Sequence, residues 1–150
     1  MRWILLAAPI AAMACAAPKV PTSTDEVDSL RARFIAAFNG KQLEAISQLY
    51  STDTIYLPVT GNRLVSRMAV HNLYAQIFGK FTPAIALTMK YAERFGELAY
   101  ETGEYTETVS GPEGSLSLVG SYIFVYRHDG KDGWHIASQA WTEQHPSRSE

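Results

Sequence analysis

Apolar residues recur every three to four positions in the first half of the chain and every second position in the rest. Val27, Leu30, Phe34 and Phe38 fall on one helical face, widened by Ile35 and Ala37. Ser23-Thr24-Asp25-Glu26 in front of them reads as a capping box, and Asn39-Gly40 reads as a stop. A second helix is predicted over residues 41–50, with Leu43, Ile46, Leu49 and Tyr50 on one side, so that the two form an antiparallel hairpin. Residues 54–57 are a short β-like run ended by Pro58, and 59–65 read as a loop. Ser66 can cap a third helix, whose face is Val70, Leu73, Tyr74, Ile77 and Phe78 and which Gly79 and Pro83 end.

From residue 84 the period becomes two. Ile85, Leu87, Met89 and Tyr91 share one face of a half-buried strand broken at Gly96. Residues 98–110 are rich in Tyr and Thr, as strands are. Gly111-Pro112-Glu113-Gly114 is a turn, 115–127 a long strand with Gly120 as a bulge or bend, and 128–133 a second turn. On the last strand, 134–142, His135, Ala137, Gln139 and Trp141 share one face; Trp134, Ile136, Ser138 and Ala140 share the other. Helices followed by an antiparallel meander make an α+β fold. Strands this long twist and curl, giving a curved antiparallel sheet that forms a cone closed by the three N-terminal helices.

Composition sets bounds on function. A length of 150 residues suits one domain, expected over residues 24–143 with a polar tail at 144–150. Thirteen basic against fifteen acidic residues give a net charge of −2, and no run of Lys or Arg exists, which argues against a nucleic-acid partner. The single cysteine excludes an internal disulfide and a cysteine-based zinc site. Met1-Arg2 and the apolar run 3–13 are too short for a membrane span, which needs about 20 residues, but fit an export signal over residues 1–14. Ala12-Met13-Ala14 precedes Cys15, and this AMAC segment resembles a bacterial lipobox. The resemblance implies lipidation at Cys15, a tether over 15–23, and a periplasmic or membrane-anchored location, with the membrane met only through that anchor. Ordinary signal cleavage nearby is the alternative.

The order of elements, with FNGKQLEAISQLYSTDTIYLP, GELAYETGEYTETV and GSYIFVYRHDGKDGWHIASQAW, resembles the NTF2-like superfamily, in its SnoaL-like and DUF4440 branch. The landmarks are Leu49-Tyr50 with Asp53, Ala99 with Gly103 and Tyr105, and Gly133-Trp134-His135-Ile136. The resemblance implies a cystatin-like α+β roll. It fixes no activity, because this fold hosts many unrelated roles. Ketosteroid isomerases of this superfamily use a tyrosine, an aspartate base and a second acid. The corresponding positions here hold Phe34, Leu57 or Pro58, and a position near Tyr122. Proton abstraction needs a base within hydrogen-bond reach, so steroid isomerisation is disfavoured.

The same comparison turns Tyr122, Phe124 and Tyr126 inward, beside Tyr105 and the His135–Trp141 face. Together with Phe34, Phe38, Tyr56, Gln139 and Trp141 they form a candidate pocket for a small apolar or aromatic molecule. Glu97, Glu101, Glu104 and Glu107 run along one strand; Glu101 is the best candidate for a buried acid, the others for a solvated edge. His71, beside Val70 on the third helix, reads as a rim or surface histidine. No HExxH, P-loop, G-x-G-x-x-G or G-x-S-x-G pattern occurs, so no cofactor or metal is expected. The leading expectation is a small-molecule binder without catalysis. The alternatives are a cyclase, isomerase or dehydratase using Tyr122, Glu101 or His71, and an interaction module that forms a homodimer through Trp134, Ile136 and Val125.

Overall fold

The computed structural model describes residues 25–144; the expected export signal at 1–14, Cys15, Ser23 and the last six residues lie outside the described residues. Helix α1 (Asp25–Asn39) opens with Asp25, Glu26 and Asp28, which suit the positive end of the helix dipole, and buries Val27, Leu30, Phe34, Ala37 and Phe38. Its last residue is clipped to the sheet. The Asn39 side-chain amide donates to the Ile85 carbonyl at 3.0 Å, and the Ile85 N–H donates to Asn39 Oδ1 at 2.7 Å. Helix α2 (Leu43–Ser47) is half the predicted length. Past it, the Leu49 carbonyl accepts from the Ile136 N–H at 2.7 Å, and Tyr50 pairs with Ile136. Strand pairing satisfies backbone groups that a continued helix would leave without partners.

Tyr50 therefore begins β1 (Tyr50–Leu57), and the predicted loop holds a short β2 (Leu64–Val65) that pairs with it. Helix α3 (Arg67–Lys80) is capped as expected, with Ala69 N–H donating to Ser66 Oγ at 3.3 Å. The meander is β3 (Thr82–Phe95), β4 (Leu98–Gly111), β5 (Gly114–His128) and β6 (Trp134–Glu143). The six strands order as β2-β1-β6-β5-β4-β3, and only the β1–β6 pair is parallel.

The curl of the sheet depends on two glycines. A Cβ at Gly120 would lie 1.8 Å from the Thr142 carbonyl oxygen and 2.6 Å from the Tyr105 ring; one at Gly103 would lie 2.2 Å from the Thr88 oxygen. Pairing runs unbroken through Tyr105↔Gly120, so Gly120 is a bend and not a bulge. Register shifts occur instead at Lys90 in β3 and at Ala137 in β6.

Each extra residue switches the buried phase of its strand. In β3, Ile85 is buried but Tyr91 is turned out, and Ala92 takes the inner position. In β6, Trp134 and Ile136 point into the core, as Gln139 and Trp141 do beyond the bulge. The expectation that Trp134 and Ile136 lie on the outer face is thus corrected. One bulge lets apolar residues of both phases be buried. Trp134 Nε1 finds Glu26 at 3.2 Å, and the outer face exposes Ile55, Leu57, Val65 and Ile123 instead.

Gly120→Ala should lower the denaturation midpoint severely, because its Cβ meets backbone. Gly79→Ala in α3, where nothing lies within 4 Å, should leave stability unchanged or raise it by about 0.5–1 kcal/mol. Urea titration of the two variants checks this, and an equal effect would remove the close-approach explanation.

Candidate functional site

The narrow part of the cone is filled by its own side chains. Phe34 meets Phe124 edge-on at 5.2 Å, and the Trp141 ring sits 5.0 Å from Tyr105, 5.6 Å from Phe124 and 5.9 Å from Tyr122. Burial of such rings is worth roughly 25 cal/mol per Å² of apolar area, so this packing dominates the interior.

Glu101 is completely buried among them. Arg31 of α1 donates to its Oε2 at 2.5 Å, and the Tyr122 hydroxyl donates to its Oε1 at 3.2 Å. The Tyr126 hydroxyl lies beside the carboxylate but short of hydrogen-bond geometry. Burial raises the Glu101 carboxyl above its ordinary range, and the Arg31 charge and hydrogen bond pull it back down. Glu101 is therefore a tie between β4 and α1. The sequence held no signal for its partner, because Arg31 lies seventy positions away.

Gln139 is also fully buried. The Tyr50 hydroxyl donates to Gln139 Oε1 and contacts the Tyr74 hydroxyl at 2.8 Å. His71 belongs to the joint between α2 and α3: its Nδ1 lies 3.0 Å from Ser47 Oγ and 3.9 Å from Glu44.

Space remains at the mouth, in a cavity of about 90 Å³. Phe38, Tyr56, Tyr105 and Trp141 line it, as do Tyr74 and Glu107, which the sequence pattern assigns to the core stripe and to the solvated edge. Phe34, Tyr122, Phe124 and Gln139 lie deeper, in the packed core. The signal for Glu107 was its phase, since it shares the inner face of β4 with Glu101, Gly103 and Tyr105. Burial raises the Glu107 carboxyl above its ordinary range, with no neighbouring charge opposing the shift. Tyr56 is buried and its phenol is pushed up for the same reason. The Trp141 indole N–H is near the Tyr56 hydroxyl, yet its geometry falls short of a hydrogen bond, and Nε1 is a buried donor without a protein partner.

Two of the larger grooves lack this convergence. The one at the other end of β5, about 660 Å³, is polar, but Arg127 is held by Asp53 and Asp129, each at 2.7 Å. The one between α3 and the β4–β5 turn, about 760 Å³, is lined by Phe81, Val109 and Leu116, and its charged side chains, Lys80 and Glu113, are exposed. Among the described residues no group of three or more His, Cys, Asp or Glu is placed to hold a metal ion. At the isomerase positions, Phe34 is buried with no hydroxyl and Leu57 faces outward, 43% exposed.

No family model matches the chain, and no curated protein matches its sequence. Solved structures do match. A ketosteroid isomerase-like protein from Erwinia carotovora superposes with a TM-score of 0.73 at 14% identity, covering 81% of this chain and 95% of that one. The chain has the NTF2-like fold. An NTF2-like superfamily protein from Salmonella enterica gives 0.73 at 14% identity, over 81% and 91% of the two chains. An NTF2-like protein with a cystatin-like fold from Novosphingobium aromaticivorans gives 0.69 at 18% identity, over 83% of each. The NTF2-like cone accounts for the placement of the mouth cavity. At these identities the likeness shows the fold alone, and the chemistry has to be read from the cavity's own residues.

The Glu107 carboxyl has a pH consequence. Its native pKa lies above the ordinary 4.5, so the native state holds this proton more tightly than the unfolded chain does. Its contribution to stability is full below about 4.5 and is lost as pH rises through the raised native value. Glu107→Gln should thus be more stable than the parent at pH 8 and equal to it near pH 4. Thermal denaturation at both pH values tests this; a variant equally stable or weaker at pH 8 would contradict the burial cost.

Proposed function

We propose that this is an exported envelope protein whose cone mouth binds a small, partly apolar molecule. The observation that carries the reading is the buried, unpartnered Trp141 Nε1 in the wall of the cavity that Glu107 and Tyr56 also line. Buried polar groups are rarely left unpaired, and ligand sites combine apolar walls with a few convergent polar groups.

The cavity volume of about 90 Å³ corresponds to about three waters at roughly 30 Å³ each. The expectation of a flat aromatic ligand filling the cone is accordingly narrowed to a molecule of a few heavy atoms, since Phe34, Phe124 and Trp141 already occupy the depth. Catalysis through Tyr122, Glu101 or His71 is not favoured, because none of the three borders the cavity. A catalytic reading would use Glu107, a half-buried carboxyl with a raised pKa, as its acid–base group. Pairing of two copies through the outer face would use Ile55, Leu57 and Ile123.

Native mass spectrometry of the full chain, purified gently from a bacterial envelope, addresses both parts. A reproducible small-molecule adduct is expected, and Trp141→Phe should reduce it by about tenfold, the worth of one buried hydrogen bond. An adduct indifferent to Trp141→Phe, or none at all, would remove the pocket assignment. A purely monomeric spectrum would remove the pairing and leave the pocket. Export and lipidation predict that the chain is recovered with membranes and labelled by a fatty-acid probe, and that Cys15→Ala abolishes the label; an unlabelled parent would leave ordinary signal cleavage.

A further inference from the structure

The mouth cavity combines aromatic rings from every side with one carboxylate and no cation. Phe38 comes from α1, Tyr56 from β1, Tyr74 from α3, Tyr105 from β4 and Trp141 from β6, and Glu107 of β4 supplies the carboxyl among the described lining residues. Among the described residues no cation lines the cavity: the strand partners of Glu107 are Ile85 on β3 and Leu118 on β5, the phenols of Tyr56, Tyr74 and Tyr105 face it, and the one further charge acting on those phenols is another carboxylate, Glu143 of β6, near Tyr105. Elsewhere in the cone a buried carboxylate is answered by a guanidinium, Glu101 by Arg31. At the mouth no basic side chain stands among the described lining residues to balance it.

We propose that the mouth cavity recognises a small organic cation, of the methylated ammonium type, with its charge set against Glu107 and its methyl groups against the rings. The inference rests on the reading of the mouth as a small-molecule site and names the class of that ligand. Aromatic faces attract cations through their quadrupole, and desolvated sites give the stronger examples. An isolated charge cannot be buried without a partner, so Glu107 and the cation each remove the other's cost. An anionic ligand would meet the same carboxylate with nothing to neutralise it. Size sets a bound as well: about 90 Å³ open at the mouth takes one face of a methylated ammonium group, with the rest of the molecule outside, and does not enclose a drug-sized molecule, which needs roughly 300 Å³ or more.

The experiment titrates the full chain with tetramethylammonium and with tert-butanol, its neutral counterpart of similar size, following the cavity residues by NMR. The cation should bind at least about tenfold more tightly than the alcohol, the scale of a desolvated cation–aromatic contact. Glu107→Gln should erase that preference. Binding of the cation should also weaken as pH is lowered through the range where Glu107 takes up its proton. Equal binding of the two probes to the parent chain would overturn the cation inference and leave the small-molecule site standing. Binding of neither probe would also overturn it, and the site would then rest on the adduct experiment alone. The parent-chain comparison does not depend on the folding of any variant.

Discussion

The structure depends on a sheet that curls tightly enough to need filling from inside. The curl is possible because neighbouring strands approach where Gly103 and Gly120 carry no side chain. Curvature of this kind leaves a cone, and an empty cone would forfeit the dispersion contacts that make interiors as dense as organic crystals. Helix α1 answers the requirement by placing Phe34 and Phe38 within it, where they meet Phe124, Trp141 and Tyr74. The clip between Asn39 and Ile85 at its C-terminal end, and the Arg31–Glu101 pair at its middle, hold the helix in that position.

Filling from the narrow end determines where function can reside. Once Phe34, Phe124 and Trp141 pack at ring distances of 5.2–6.3 Å, no space is left beside Tyr122 or Glu101 for a reacting molecule. What remains is the mouth, where the walls come from α1, α3, β1, β3, β4, β5 and β6. A site assembled from so many elements is positioned by the whole fold, and the packed core beneath it keeps its polar groups from relaxing toward partners of their own.

Periodicity made the helices, the meander and its turns legible, because each depends on local spacing alone. It failed where pairing over long sequence distances overrode local preference. The helical pattern of 41–50 continues through Tyr50, yet the backbone there pairs with Ile136. The alternation in β6 predicts one buried face, but the extra residue at Ala137 buries Trp134 and Ile136 as well as Gln139 and Trp141. A bulge has no signature when the inserted residue is an ordinary alanine. In the candidate site, Phe38, Tyr56, Tyr105 and Trp141 were legible as inward aromatics. Glu107 shows only its phase, and a glutamate on a half-buried strand reads as solvated until its neighbours are known.

Two glutamates on one face of β4 show how the same side chain acquires opposite roles. Glu101 and Glu107 are in phase, both have carboxyls raised by burial, and both belong to the inner surface of the cone. At Glu101 the helix supplies Arg31 and the sheet supplies Tyr122, so the charge is answered within the fold and works as a fastening. At Glu107 the facing elements supply rings and aliphatic groups, and Trp141 adds an N–H donor that nothing accepts from. Local inconsistency of that kind is tolerated where a site needs unsatisfied groups ready for a ligand. Removing it would relieve the burial cost and, on the proposed reading, take away the mouth's preference for its ligand.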